Sequence, residues 1–154
     1  MLVIVKLAEA AEGVRKGLRD DKLPHRSLEE VEMADAVFRL LDFAGGFSVE
    51  CDAASTVHLS EESPCPADKL EGLFEIAKTV ALSTSYPPLV WIALVEIQSY
   101  CKKHGLDLWA AFDEKLACNA VREDPTHEVR RAEGGRKLGT LLVAASRSTG
   151  DKAT

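Results

Sequence analysis

The chain has 154 residues, a formal net charge of −6 and four cysteines. That length suits one domain with a core large enough to stand without disulfide or metal staples. The acid excess argues against a general nucleic-acid binder, whose phosphate contacts need a basic surface.

Residues 2–18 carry Leu7, Ala10, Ala11, Val14 and Leu18 at helical spacing and predict an amphipathic helix. The opening MLVIVKLAEAAEG is apolar for about five residues and then charged, with no basic leader and no small-residue cleavage site. Neither a signal peptide nor a membrane span is expected, and a cytoplasmic protein is. Pro24 and the charges of RDDKLPHR end the first helix. Ser27 and Glu30 form a capping-box pattern that opens a second helix, predicted to run to Ala44 with Gly45–Gly46 as its stop. Its stripe is Val31, Ala34, Phe38 and Leu41, widened by Val37, Leu40 and Ala44.

Residues 47–66 read as a long loop with one short helical turn near 52–57. A third helix is expected over 67–82, with Leu70, Leu73, Phe74, Ala77, Val80 and Ala81 facing inward. Pro87–Pro88 suit the first turn of a fourth helix, which buries Leu89, Ile92, Ala93, Ile97 and Tyr100 and closes at Gly105 after a basic last turn. Asp107 caps a fifth, Leu108 to Val121, ended by Asp124–Pro125. Residues 123–139 form a basic arm with Arg130, Arg131, Arg136 and Lys137. No stretch alternates long enough for a sheet, and no repeat is present. The predicted fold is all-α, an antiparallel bundle of about five helices, with one domain over 1–138 and a tail over 139–154.

Four acids carry the chemical argument. Glu9 and Glu12 lie three apart on the first helix, and Glu32 and Asp35 three apart on the second. Packed face to face, the two helices would gather up to four carboxylates. Such a cluster needs a cation, and oxygen-only donors favour Mg²⁺ or Mn²⁺. The bland alternative pairs Glu12 with Lys16 and Asp35 with Arg39 along each helix. Asp35, at the edge of an apolar stripe, demands an arginine, a lysine or a metal as partner. Trp91 and Trp109 read as core, His25 as a solvated loop residue. Cys51, Cys65, Cys101 and Cys118 include no CxxC pair and read as incidental thiols of a reducing compartment.

EVEMADAVFRLLDFAG resembles the second signature helix of the MazG-like nucleotide pyrophosphohydrolases, and KLAEAAEGVRKGL with DDKLPHR is similar to their first helix and its loop. DLWAAFDEKLACNAVRED resembles their closing helix, and AEGGRKL an ending found in some members. Residues 47–103 look like an insertion relative to short members. The resemblance implies hydrolysis of a nucleoside or deoxynucleoside triphosphate to monophosphate and pyrophosphate, as house-cleaning. It implies Mg²⁺ held by Glu9, Glu12, Glu32 and Asp35, with Glu32 and Asp35 catalytic, and Lys115, Asn119 and Arg122 binding nucleotide or phosphate. Two short signature helices leave much apolar surface, so a homo-oligomer is expected, a dimer or dimer of dimers, and the acidic charge and lack of a span give no reason to expect a nucleic-acid or membrane partner. The chain departs from the family at Lys6, where the first acid of the first helix is expected, and at Cys118, where a tyrosine is common. A lysine there could mimic the metal, so the alternative is a catalytically impaired relative that binds nucleotide or serves as an oligomeric structural or interaction protein.

Overall fold

A computed structural model describes residues 2–49 and 65–121, and every described regular element is a helix. The helices are α1 (Leu2–Lys16), α2 (Leu28–Gly46), α3 (Lys69–Ser83), α4 (Leu89–His104) and α5 (Leu108–Val121). The predicted turn near 52–57, Cys51, Arg122, the basic arm and the tail lie outside the described residues. Met1–Ala120 form one compact unit. No described helix is long and apolar enough to cross a membrane.

The connection from α1 to α2 is short and tightly bonded. Asp20 folds it by accepting from the backbone N–H of Lys22 at 2.9 Å and Leu23 at 2.8 Å, a local device of aspartate in turns. Leu28 N–H donates to Leu18 C=O at 2.9 Å, and an isolated bridge joins Arg19 to Ser27. α2 is thereby returned against α1. Ser27 Oγ accepts from Glu30 N–H at 3.2 Å, the expected cap. The second half of the capping box does not form. Glu30 Oε1 instead accepts from Asp107 N–H at 2.5 Å, so the residue ties α2 to the start of α5.

Beyond the caps, packing overrules the sequence stripes in places. α2 continues through both glycines to a cap at Phe47. α3 is rotated from its predicted face. Leu73, Ile76, Val80 and Ser83 are buried, while Leu70 and Phe74 face solvent. On α4, Val90, Ala93, Ile97, Tyr100 and Cys101 form the inner face, and Gly105 closes the helix at φ 68° as expected. Asp107 Oδ1 accepts from Ala110 N–H at 3.2 Å and caps α5. The core is one cluster running from Val3 and Leu7 on α1, through Met33, Val37 and Leu40 on α2, to Ile76, Val80, Ile97 and Tyr100 on α3 and α4. The helices of 65–104 are therefore part of the core that α1 and α2 build.

A buried carboxylate locks this core. Glu29 is 4% exposed. It accepts from Tyr100 Oη at 2.7 Å and from Lys69 Nζ at 2.7 Å, joining α2 to α4 and α3. Burial, and then the Glu29 carboxylate, raise the tyrosine hydroxyl above its ordinary value, so it stays a donor. Tyr100→Phe removes one bond from a buried charge and is expected to cost about 1–3 kcal/mol. Urea unfolding checks this. A loss below about 0.5 kcal/mol, the scatter of ordinary surface changes, would show that Lys69 alone satisfies Glu29.

Candidate functional site

α1 and α2 cross with their acids in one place, and the partner that Asp35 requires is an ammonium group. Lys6 on α1 projects its Nζ between three carboxylates. It lies 2.6 Å from Glu9 Oε2, 3.0 Å from Glu32 Oε2 and 3.6 Å from Asp35 Oδ2. Lys115 on α5 also reaches Asp35 Oδ2, at 3.2 Å. Glu32 is 6% exposed and Lys115 5% exposed. Glu32 Oε2 is fully buried, and the Lys6 ammonium is its charge partner.

The packing explains how the helices deliver these groups. Lys6 precedes Leu7, and Asp35 lies between Ala34 and Ala36, all three apolar neighbours being core residues. Lys115 is held by the inner face of α5, where Ala111 and Phe112 are buried. Phe112 stacks on Phe38 of α2 with ring centroids 3.9 Å apart, one helical turn from both Lys115 and Asp35. α5 is also anchored at Glu114, which receives Arg26 at 2.9 and 2.8 Å and His25 at 2.7 Å. Arg26, bridging Glu114 and Glu30, went unread in the sequence. Its partner is remote in the chain, and no local pattern announces it.

Electrostatics follow from this geometry. Burial alone would pull the Lys6 ammonium down, but its contacts with Glu9 and Glu32 and the charge of Asp35 outweigh burial and hold it above the usual lysine value. Glu9 is lowered, chiefly by Lys6. Glu32 goes the other way. Burial pushes its carboxyl up to about 7, with Glu9 and Asp35 adding to the effect and Lys6 opposing it.

A pH dependence with a definite sign results. The folded protein holds the Glu32 proton more tightly than the unfolded chain, whose value is near 4.5. That stabilisation is full below the unfolded value and is lost as pH rises through about 7. Glu9, shifted down, has the opposite sense: its contribution is present above about 4.5 and is lost on acidification. The melting temperature is expected to fall between pH 5 and pH 8, and Glu32→Gln to flatten that fall. An equal slope in the variant would place the proton elsewhere.

Of the acids and bases singled out in the sequence, Glu9, Glu32, Asp35 and Lys115 meet. Glu12 does not join them; it pairs with Arg15 at 2.9 Å and with Lys16. Asn119 is on the exposed side of α5, and Arg122 lies outside the described residues. His25, read as solvated, engages Glu114. Cys65, Cys101 and Cys118 are free thiols, as expected. The donor set does not fit a divalent ion as it stands, because a Mg²⁺ ion needs its oxygens at about 2.0–2.1 Å and Lys6 Nζ occupies the place between them. Among the described residues no group of three or more His, Cys, Asp and Glu side chains is disposed to hold a metal. No family model, curated protein or solved structure matches the chain.

Proposed function

We propose that this chain is a MazG-like helical protein that does not hydrolyse triphosphates and acts through assembly with further copies of itself. The observation that carries this reading is the Lys6 ammonium between Glu9, Glu32 and Asp35. Two lysines against three carboxylates leave the cluster near electroneutrality, so it has little attraction for a polyanionic nucleotide and no need of a metal to hold the helices together. Assembly is supported by large apolar side chains turned to solvent in the single chain. Trp109 and Leu116 lie on the outer side of α5, Leu2 and Val5 on α1, and Leu70 and Phe74 on α3. α5 thus carries Trp109 and Leu116 on its exposed side in addition to the buried Leu108, Ala111 and Phe112.

The test is pyrophosphate release from a panel of ribo- and deoxynucleoside triphosphates, with Mg²⁺ and with chelator, beside light scattering of the same samples. The expected result is no release and an oligomer indifferent to chelator. Mg²⁺-dependent release that Asp35→Ala abolishes would overturn the reading, and a monomer at every concentration would remove assembly from it.

A second reading has a specific observation in its favour. Glu9, Glu32, Asp35 and Lys115, four of the residues implied by the family resemblance, come together across α1, α2 and α5. On that reading the protein is a Mg²⁺-dependent (or Mn²⁺-dependent) nucleotide pyrophosphohydrolase. Lys6 would have to leave the cluster first, which is why the geometry supports it less well.

A further inference from the structure

We infer that α3 is the surface through which two copies of this chain pair: its outer row of Leu70, Phe74, Ala77 and Ala81 packs antiparallel against the same row of a partner, about a twofold axis. This rests on the proposal of assembly with further copies, and names the face and the register.

α3 carries more apolar surface than its own core uses. Leu73, Ile76, Val80 and Ser83 face the interior. Leu70 and Phe74 do not; they are 43% and 64% exposed, with Ala77 half-buried and Ala81 exposed. Leu70, Phe74, Ala77 and Ala81 follow one another at steps of four, three and four residues. That is the spacing of a seam between two helices. Single exposed apolar residues need no explanation, but a continuous row along a helix marks a contact.

Size complementarity selects the occupant. In an antiparallel pair centred between Phe74 and Ala77, Phe74 meets the partner's Ala77 and Leu70 meets the partner's Ala81. Each layer then sets a large side chain against a small one, which is how facing helices interdigitate without voids.

Charge agrees with size. Glu71 and Lys78 each follow a member of the row by one residue, Leu70 and Ala77, and so lie on the same flank of it. The antiparallel register brings Glu71 toward the partner's Lys78. By the twofold it also brings Lys78 toward the partner's Glu71, since contacts across such an axis are reciprocal. Lys78 bonds Glu75 of its own helix at 2.7 Å, yet its side chain is half-exposed and its ammonium has donors to spare. The opposite flank is Leu73 and Val80, both buried in the core of their own chain. A parallel pair sets the two unlike flanks against each other, so Glu71 and Lys78 would face no charge. It would also crowd Phe74 against the partner's Phe74 and leave alanine opposite alanine in the next layer.

The test is sedimentation velocity over a concentration series on the native protein, Phe74→Ser, Glu71→Lys, Lys78→Glu, an equimolar mixture of the two charge variants, and Trp109→Ser as a change on another exposed face. The native protein is expected to dimerise as concentration rises. Phe74→Ser removes the largest side chain of the seam and is expected to weaken dimerisation at least about tenfold. Each charge reversal turns two attractive contacts into two repulsive ones and is expected to weaken it by about three- to tenfold. Mixing the two charge variants is expected to restore native affinity. The new lysine of one then faces the new glutamate of the other, and their unchanged members pair as well. A folding defect could not be repaired by mixing. Trp109→Ser is expected to leave the dimer intact. A native dimer indifferent to Phe74→Ser, dissociation by Trp109→Ser alone, or charge variants that mixing does not bring back would overturn the inference while leaving assembly through another face standing. A native protein that stays monomeric at every concentration would overturn both.

Discussion

Lys6→Met is expected to destabilise the protein by about 2–3 kcal/mol at pH 8, and by less at pH 5.5. Removing one member of a buried ion pair costs about 3–5 kcal/mol, because the partner is left charged and unsolvated. The upper part of that range is out of reach here. Lys6 keeps 21% of its side chain exposed and Glu9 45%, so Glu9 can turn to water. Glu32 and Asp35 cannot do so as easily, at 8% and 16%. Asp35 keeps Lys115, and Glu32 is left beside it with a buried oxygen that has no hydrogen bond. Methionine preserves most of the lysine stem, so the loss measures charge more than packing. The pH dependence separates this account from a plain loss of contact. Below about 7 Glu32 already carries a proton in the native protein, so fewer charges are stranded when Lys6 goes. Guanidinium unfolding at the two pH values would check both parts. A cost below about 1 kcal/mol at both, the ordinary worth of a surface ion pair, would mean that water reaches the cluster freely and that Lys6 holds nothing together.

Most of what was legible in the sequence was local. Ser27, Asp107 and Gly105 announce helix ends because a cap is made within four residues of the group it satisfies. The helical spacing of apolar residues located all five helices among the described residues. It failed on which face of α3 points inward, because Leu70 and Phe74 fit the period as well as Ile76 does, and only the surfaces of α1 and α4 decide between them. The cluster was half legible. Two acidic pairs on neighbouring helices could be seen to need a cation, and Lys6 could be seen to fall where an acid was expected. That the Lys6 side chain reaches across to Glu32 and Asp35, while Glu12 turns to Arg15 and Lys16, depends on the rotation of α1 against α2. Glu29 was not legible at all. It occupies the first turn of α2, where an acid is welcome for the helix dipole alone. Its burial is set by Tyr100 and Lys69, contributed by helices far along the chain.

The rotation of α1 against α2 is itself set by a residue that reads as a helix weakness. Gly13 lies inside α1, where glycine costs about 0.5–1 kcal/mol relative to alanine. On propensity alone Gly13→Ala should stabilise the protein. The contact reverses the sign. A Cβ on Gly13 would stand 2.9 Å from the backbone nitrogen of Glu29 and 3.1 Å from Leu28 Cβ. The nearer atom is backbone in the first turn of α2, which the Ser27 cap and the Leu28 bond to Leu18 hold in place, so no side chain can swing aside to make room. One helix must shift, and overpacking of this kind costs about 1–3 kcal/mol. After subtraction of the propensity gain, Gly13→Ala is expected to destabilise by about 1–2 kcal/mol. The displacement would also move Glu29 away from Tyr100 and Lys69, and would spread the carboxylates that Lys6 gathers about two turns earlier on α1. Thermal unfolding reads the first effect. The pH slope attributed to Glu32 reads the second, and it should shrink in the variant as the pocket opens to water. A Gly13→Ala protein more stable than native, with an unchanged slope, would show that α1 has slack at this crossing and that Gly13 does not set the distance between the two helices.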